Sequence, residues 1–182
     1  RQAELSTSRP IQTERDLLIS ILGFLQAGMG GERWVASTAI VEAFAQRFDK
    51  LITLGGTSVR AAIAMHKLGW AAALHLVTIN EHVRRLLPPD SVYVCSQDAE
   101  SLHPHLIVQF GQGTTIDAGD IHICSQRANR IIYHNDLDNI AVELTARFAD
   151  QVAAADVLLV SGFNAMQDEA LLNQRLDTLL QI

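Results

Sequence analysis

The chain has 182 residues, 48% of them hydrophobic and 19% charged, enough apolar material for a buried core and too little charge for a disordered chain. Its net charge of −6 argues against nucleic-acid binding, which needs a broad basic surface. No apolar run reaches the ~18 residues that span a bilayer, and no basic-then-apolar leader opens the sequence. Cys95 and Cys124 are too far apart for a Cys-x-x-Cys site. The expectation is therefore a cytoplasmic protein, a monomer or homodimer, with no membrane partner.

The sequence opens on Arg1 and stops at Ile182 inside an apolar helical pattern, so both ends are expected to be cuts in a longer protein. Residues 1–15 are polar and expected to be irregular. Leu17, Leu18, Ile21, Leu22 and Leu25 form one helical stripe over 16–26, stopped by Gly28-Met29-Gly30-Gly31. Residues 37–48 predict a second helix, capped by Ser37 or Thr38. An extended apolar run at 51–54 is broken by Gly55-Gly56, and an Ala-rich helix follows over 57–68, ended by Gly69. Residues 71–78 are β-compatible, and 80–87 predict a short helix closed by Pro88-Pro89.

The middle changes character. Short β-like runs at 92–95, 106–110, 121–124 and 131–133 alternate with turn formers such as Gly111, Gly113, Gly119 and Asp120. They predict a small antiparallel patch. A long helix is expected over 137–153, a buried strand over 157–160, whose apolar run does not alternate, and a last helix over 168–180. The class is α/β with an antiparallel excursion. It divides into core residues 1–90, a β-rich segment 91–135, and core residues 136–182.

Several short sequences carry candidate chemistry. Gly55-Gly56-Thr57 opens a helix, where free amides attract oxygen-rich or anionic groups; glycine pairs also make ordinary turns. Gly28-Met29-Gly30-Gly31-Glu32 lacks the Gly-Lys-Ser/Thr ending of a phosphate loop and is equally a connector. Glu32 beside it has the chemistry to bond sugar hydroxyls. Arg127-Ala128-Asn129-Arg130 sets two forked donors suited to phosphate oxygens around an amide. Standing three apart, the two arginines would point to opposite faces of a regular strand. His103-Pro104-His105 has no third ligand at a telling spacing, so no metal site is expected there. Asp136 or Asp138 is expected to cap the long helix. Ser161-Gly162 follows a strand-like run at the edge where α/β sheets bind ligands, but it lacks a nucleophile-elbow context.

Taken in order, these segments resemble the ADP-dependent glucokinase/phosphofructokinase family of the ribokinase superfamily. Leu54-Gly55-Gly56-Thr57, with its Ala-rich helix and Leu68-Gly69, is similar to the family's Gly-Gly-Asn/Gln-Ala and Leu-Gly. His105-Leu106-Ile107-Val108-Gln109-Phe110 is similar to His-Leu-Ile-Phe-Glu-Phe/Tyr. Arg127-Ala128-Asn129-Arg130-Ile131-Ile132, with the polar stretch 134–139, resembles the Asn-Arg-Phe-Ile run. Val160-Ser161-Gly162 matches an Ile/Leu-Ser-Gly turn.

The resemblance implies a ribokinase-like three-layer α/β/α sandwich, partial here, with a small β-rich lid. It implies an enzyme that moves the terminal phosphate of ADP to a hexose or hexose phosphate, of the glucose or fructose 6-phosphate class, leaving AMP, with Mg2+. The partners are then a small sugar and a nucleotide. Gly55, Gly56, Thr57 and Glu32 would bind the sugar, with Thr57 standing where the family often has Asn. Arg130, Arg127 and Asn129 would meet phosphate or nucleotide. Gln109 replaces a family Glu. The family's catalytic Asp lies in a Gly-x-Gly-Asp turn that these 182 residues lack, so the chain by itself is expected to hold no catalytic or metal-binding residue and to be inactive. The alternatives are an ATP-dependent carbohydrate or nucleoside kinase of the same superfamily, or a degenerate, non-catalytic sugar- or nucleotide-binding protein.

Overall fold

A computed structural model describes residues 1–182. In chain order its elements are α1 (Glu14–Ala27), β1 (Gly31–Trp34), α2 (Thr38–Ala45), α3 (Thr57–Lys67), β2 (Ala73–Leu76), α4 (Glu81–Leu86) and β3 (Val92–Cys95). There follow β4 (Leu106–Phe110), β5 (Thr115–Ala118), β6 (Ile121–Cys124), β7 (Asn129–His134), α5 (Asp138–Ala141), α6 (Ala146–Ala153) and α7 (Glu169–Gln181). The class is mixed α/β. The chain forms two compact units, one of Arg1–Lys50 with His103–Asn135 and the other of Leu51–Leu102 with Asp136–Ile182. The segment expected at 91–135 is thereby shared between them.

The first unit is built on α1 and a three-stranded sheet in the order β1-β7-β4, with β1 parallel and β4 antiparallel to β7. Helix α1 starts on a reciprocal cap. The Asp16 N–H donates to Thr13 Oγ1 at 3.2 Å, and Thr13 Oγ1 donates back to Asp16 Oδ2 at 2.8 Å. That bond, aided by the Gln12 amide and Arg9 and opposed by burial, holds the Asp16 carboxyl below its usual range. The apolar stripe of α1 supplies Leu17, Ile21 and Phe24 to a core shared with Val35, Val41, Ile131 and Tyr133. Within it the Tyr133 hydroxyl donates to Ser20 Oγ at 3.0 Å, and burial pushes its pKa up to about 12. The β5–β6 hairpin packs Ile123 against Leu22 and Leu25 on another part of α1.

The second unit holds the parallel pair β2–β3, joined through α4. Asn80 caps α4 by accepting from the Val83 N–H at 3.1 Å. Leu74, Leu76, Ile79 and Leu87 make a separate core, with Val59 and Ala62 of α3 packed on it.

Four expectations need correction. Residues 92–95 do not join the antiparallel strands; they pair in parallel with 73–76, because the short α4 crossover returns the chain alongside β2. The long helix over 137–153 is broken. Val142 adopts φ +41, a conformation strained for a β-branched residue, and tertiary partners take the groups a continuous helix would use. Arg175 Nε donates to the Ala141 and Val142 carbonyls at 3.2 and 3.0 Å, and the Thr145 N–H donates to His75 Nε2 at 3.3 Å. The run at 157–160 is neither buried nor a strand: Val157 is 84% and Leu159 53% exposed, since this unit's sheet has only two strands. The run at 51–54 is likewise unpaired, with Leu51 88% exposed.

Candidate functional site

Strand β7 organises the candidate site. Two-residue alternation sends Ile131 and Tyr133 into the core and leaves Arg130, Ile132 and His134 on the opposite face. Register then sets Glu32 beside Ile132 and Trp34 beside His134, with Gln109 beside Arg130 and Ile107 beside Ile132. One sheet face therefore carries Glu32, Trp34, Gln109, Arg130 and His134 together. The sequence places these residues as much as 102 positions apart, from Glu32 to His134.

The two ends of this face differ in chemistry. At the start of β7, Gln109, Phe110, Ala128, Asn129 and Arg130 line an open depression of about 380 Å³. Arg130 is exposed, and its side chain takes part in no ion pair of the molecule. The Asn129 side chain turns back onto the chain, its Oδ1 accepting the Arg130 N–H at 3.0 Å. Arg127 precedes the strand and is not in the depression; its carbonyl accepts from the Ser125 hydroxyl at 2.7 Å. At the other end, Glu32 Oε1 lies 3.3 Å from His134 Nε2. The Trp34 ring stands edge-on to His134 with centroids 5.4 Å apart, and His105 packs on the same imidazole at 5.0 Å.

The sequence Gly28–Gly31 is neither a phosphate loop nor a free connector. Gly28 closes α1 and Gly31 starts β1. A Cβ at Gly30 would fall 2.1 Å from Asn129 Oδ1 and 2.6 Å from the Arg130 carbonyl. Only a residue without a side chain lets β1 approach the start of β7 so closely.

In the second unit, Gly56 holds φ +79 as the N-cap of α3 and Thr57 is exposed at its first turn. Ser58 was not singled out by sequence, yet it joins two turns 103 residues apart. Its N–H donates to Ser161 Oγ at 3.2 Å and the two hydroxyls lie 2.5 Å apart. Gly55-Gly56-Thr57 and Ser161-Gly162 are thus neighbours. At the carboxyl edge of β2–β3, where open α/β sheets bind ligands, the Asp138 carboxylate accepts from Thr78 at 2.8 Å, Gln97 at 2.8 Å and Ser101 at 2.5 Å. Asp138 therefore ties loops together, while Asp136 meets the start of α5 by accepting the Asn139 N–H at 3.1 Å. A hollow of about 280 Å³ lined by His66, Trp70 and Asp90 lies at the amino edge of the same strands, the end that the edge rule disfavours.

The sequence pattern of the ADP-specific Phosphofructokinase/Glucokinase conserved region matches residues 1–181 of the 182. The chain belongs to this family. No curated protein matches it. The match spans both units, so the β7 face and the paired turns around Ser58 both lie within the conserved region of an ADP-dependent sugar-kinase family. No group of three or more His, Cys, Asp or Glu side chains here could hold a metal ion, and no helix is long and apolar enough to cross a membrane.

Proposed function

We propose that this protein is a carbohydrate kinase that passes a phosphoryl group from ADP to a hexose or hexose phosphate, leaving AMP. The observation that carries the reading is Arg130. It is a guanidinium without an ion-pair partner, at the rim of an open depression, with Asn129 and Gln109 as neutral neighbours. A fork of N–H donors in such a place suits phosphate oxygens. Membership in an ADP-specific family supplies the donor class.

Gln109 fits this reading. It lies directly across from Arg130, and a glutamate there would neutralise the guanidinium. The amide leaves the positive charge available. Glu32, Gly55, Gly56 and Thr57 are proposed as sugar contacts, with Arg127 as an outer phosphate contact. The fold proposed for the family is the ribokinase-like sandwich with its β-rich lid. Mg2+ would accompany ADP, but the residues present offer no fitting ligand set, so no step is derived through it. The 182 residues are proposed to supply ligand contacts and not the catalytic base, because they contain no Gly-x-Gly-Asp turn.

The test is calorimetric. Arg130→Ala should weaken ADP binding at least ~10-fold, the equivalent of about 1.4 kcal/mol, and leave the melting temperature nearly unchanged because the side chain is exposed. ADP affinity equal to wild type in this variant would remove Arg130 from the site and the reading with it.

A further inference from the structure

We infer that the break between α5 and α6 is an acid-released switch: protonation of His75 frees the Thr145 N–H to bond the Ala141 carbonyl, and residues 138–153 close into one helix.

The break is imposed by tertiary partners. In an α-helix each N–H donates to the carbonyl four residues back, so Thr145 and Ala141 are each other's helical partners. Here both groups are taken from outside. His75 Nε2 accepts the Thr145 N–H at 3.3 Å, and Arg175 Nε donates to the Ala141 carbonyl at 3.2 Å. Arg175 also donates to the Val142 carbonyl at 3.0 Å, the acceptor that the Ala146 N–H would use. The Ser96 hydroxyl donates to the Glu143 carbonyl, the acceptor that the Arg147 N–H would use.

The broken form is unfavourable at three points. Val142, β-branched and buried, holds φ +41, where glycine alone sits freely. Thr145 stands at the N-cap of α6 without the side-chain bond that a cap supplies. Its Oγ1 is buried without a hydrogen-bond partner. A continuous helix relieves all three. Val142 returns to helical angles, no cap is needed at 145, and a threonine hydroxyl inside a helix bonds a carbonyl in the preceding turn.

Of the two latches, His75 is the one that titrates near neutrality, because arginine keeps its charge. An imidazolium carries a proton on both nitrogens and cannot accept the Thr145 N–H. Its register partner on β3 is Val94, while Tyr93 and Cys95 of that strand pack with Leu74 and Leu76 on the opposite face. From α6 the Phe148 ring lies against it with centroids 4.9 Å apart; Arg147 and Asp150 of that helix are exposed, as is Glu143 in the break. From α7, Arg175 is spent on the two carbonyls. Burial is thus the cause that lowers the His75 pKa from the ordinary 6.5. The released imidazole takes a proton more readily than the latched one, so pH falling below 6.5 favours the continuous helix. Closure draws the Glu143 carbonyl off Ser96, at the carboxyl edge of β2–β3 where open α/β sheets bind ligands.

The test is a pH titration of the chain followed by backbone NMR. As pH falls from about 7.5 to about 5, spanning the histidine range, the Cα shifts of residues 142–145 should move to helical values in step with the His75 ring. The shifts of β2 and β3 should hold. His75→Gln, which accepts the same bond and does not titrate, should abolish the transition. Val142→Gly makes the broken form easy and the helix poor, so the midpoint should fall by about one pH unit, a tenfold change in the equilibrium. Arg175→Met removes the second latch and should raise it. A transition that survives His75→Gln overturns the inference, as does a break that persists after the His75 ring has titrated. Loss of the β2 and β3 shifts together with 142–145 overturns it too, since the segment then unfolds instead of closing. Should His75→Gln fail to fold, Val142→Gly decides: a midpoint unchanged or raised sinks the switch.

Discussion

Gly30 and Tyr133 show how few atoms hold the β7 face in place. A methyl group at Gly30 would overlap the Asn129 side-chain amide and the Arg130 carbonyl, and the carbonyl is backbone that cannot swing aside. Gly30→Ala should therefore cost ~1–3 kcal/mol, the range for forced overpacking, and should displace Arg130; a chemical denaturation midpoint within error of wild type would contradict this. Tyr133→Phe leaves the buried Ser20 hydroxyl without the 3.0 Å bond it accepts. It should destabilise by ~1 kcal/mol without altering ADP affinity. Gln109→Glu tests the electrostatics of the same strand pair. Placing a carboxylate across from Arg130 should weaken ADP binding several-fold while leaving glucose binding alone. Equal ADP affinity in that variant would mean that Arg130 does not meet the nucleotide.

Among the elements, the break between α5 and α6 is the clearest case of local preference giving way. Residues 137–153 carry an amphipathic pattern that predicts one helix, yet Arg175 and His75 claim its mid-point backbone groups. The arrangement is sensitive to pH. His75 accepts a hydrogen bond at Nε2 and so must be unprotonated there, and burial lowers its pKa from the ordinary 6.5. The unfolded chain gains a proton near 6.5 that the folded chain refuses. Stability present above that pH is thus lost as pH falls towards the lowered folded value. The melting temperature should drop across that window, and His75→Gln should flatten the dependence; an unchanged slope in the variant would place its origin elsewhere. The Asp138 clasp is a second element-level device. Asp138→Ala should speed amide exchange at Thr78 and from Gln97 to Ser101, whose side chains it gathers, with exchange in β7 unaffected.

At the scale of the whole molecule, each unit has its own apolar core, one around Leu17, Ile131 and Tyr133 and the other around Leu74, Leu76 and Leu87. Leu74→Ala should therefore cost ~2–5 kcal/mol in the second unit and raise exchange in β2 and β3 while β1, β7 and β4 keep their protection. Equal loss of protection in both units would show that they unfold as one. Chain order conceals this division, since each unit is made of two separated stretches.

The helices α1, α2, α3, α4 and α7 were legible because their stripes, caps and stops are local signals. Thr13, Ser37, Asn80 and Asp168 each cap the helix that follows them, and a cap is decided within three or four residues. Strand β1 was not legible, because Gly31–Trp34 opens on a glycine and sets two adjacent charges, Glu32 and Arg33, in its middle, and only its pairing with β7 makes it a strand. The apolar runs at 51–54 and 157–160 misled for the converse reason: apolar, unalternating sequence permits a buried strand but cannot supply its neighbour. For the site, residue type alone picked out Glu32, Asn129 and Arg130, since carboxylate, amide and guanidinium announce their chemistry. Their assembly with Trp34, Gln109 and His134 on one face came from sheet register, and the meeting of Ser58 with Ser161 came from packing. Sequence by itself determined α1 to α4, α7 and the family, because these rest on short-range order along the chain. The tertiary structure alone decided which strands pair, which faces stay open and which side chains share a site, because those depend on contacts between residues a hundred positions apart.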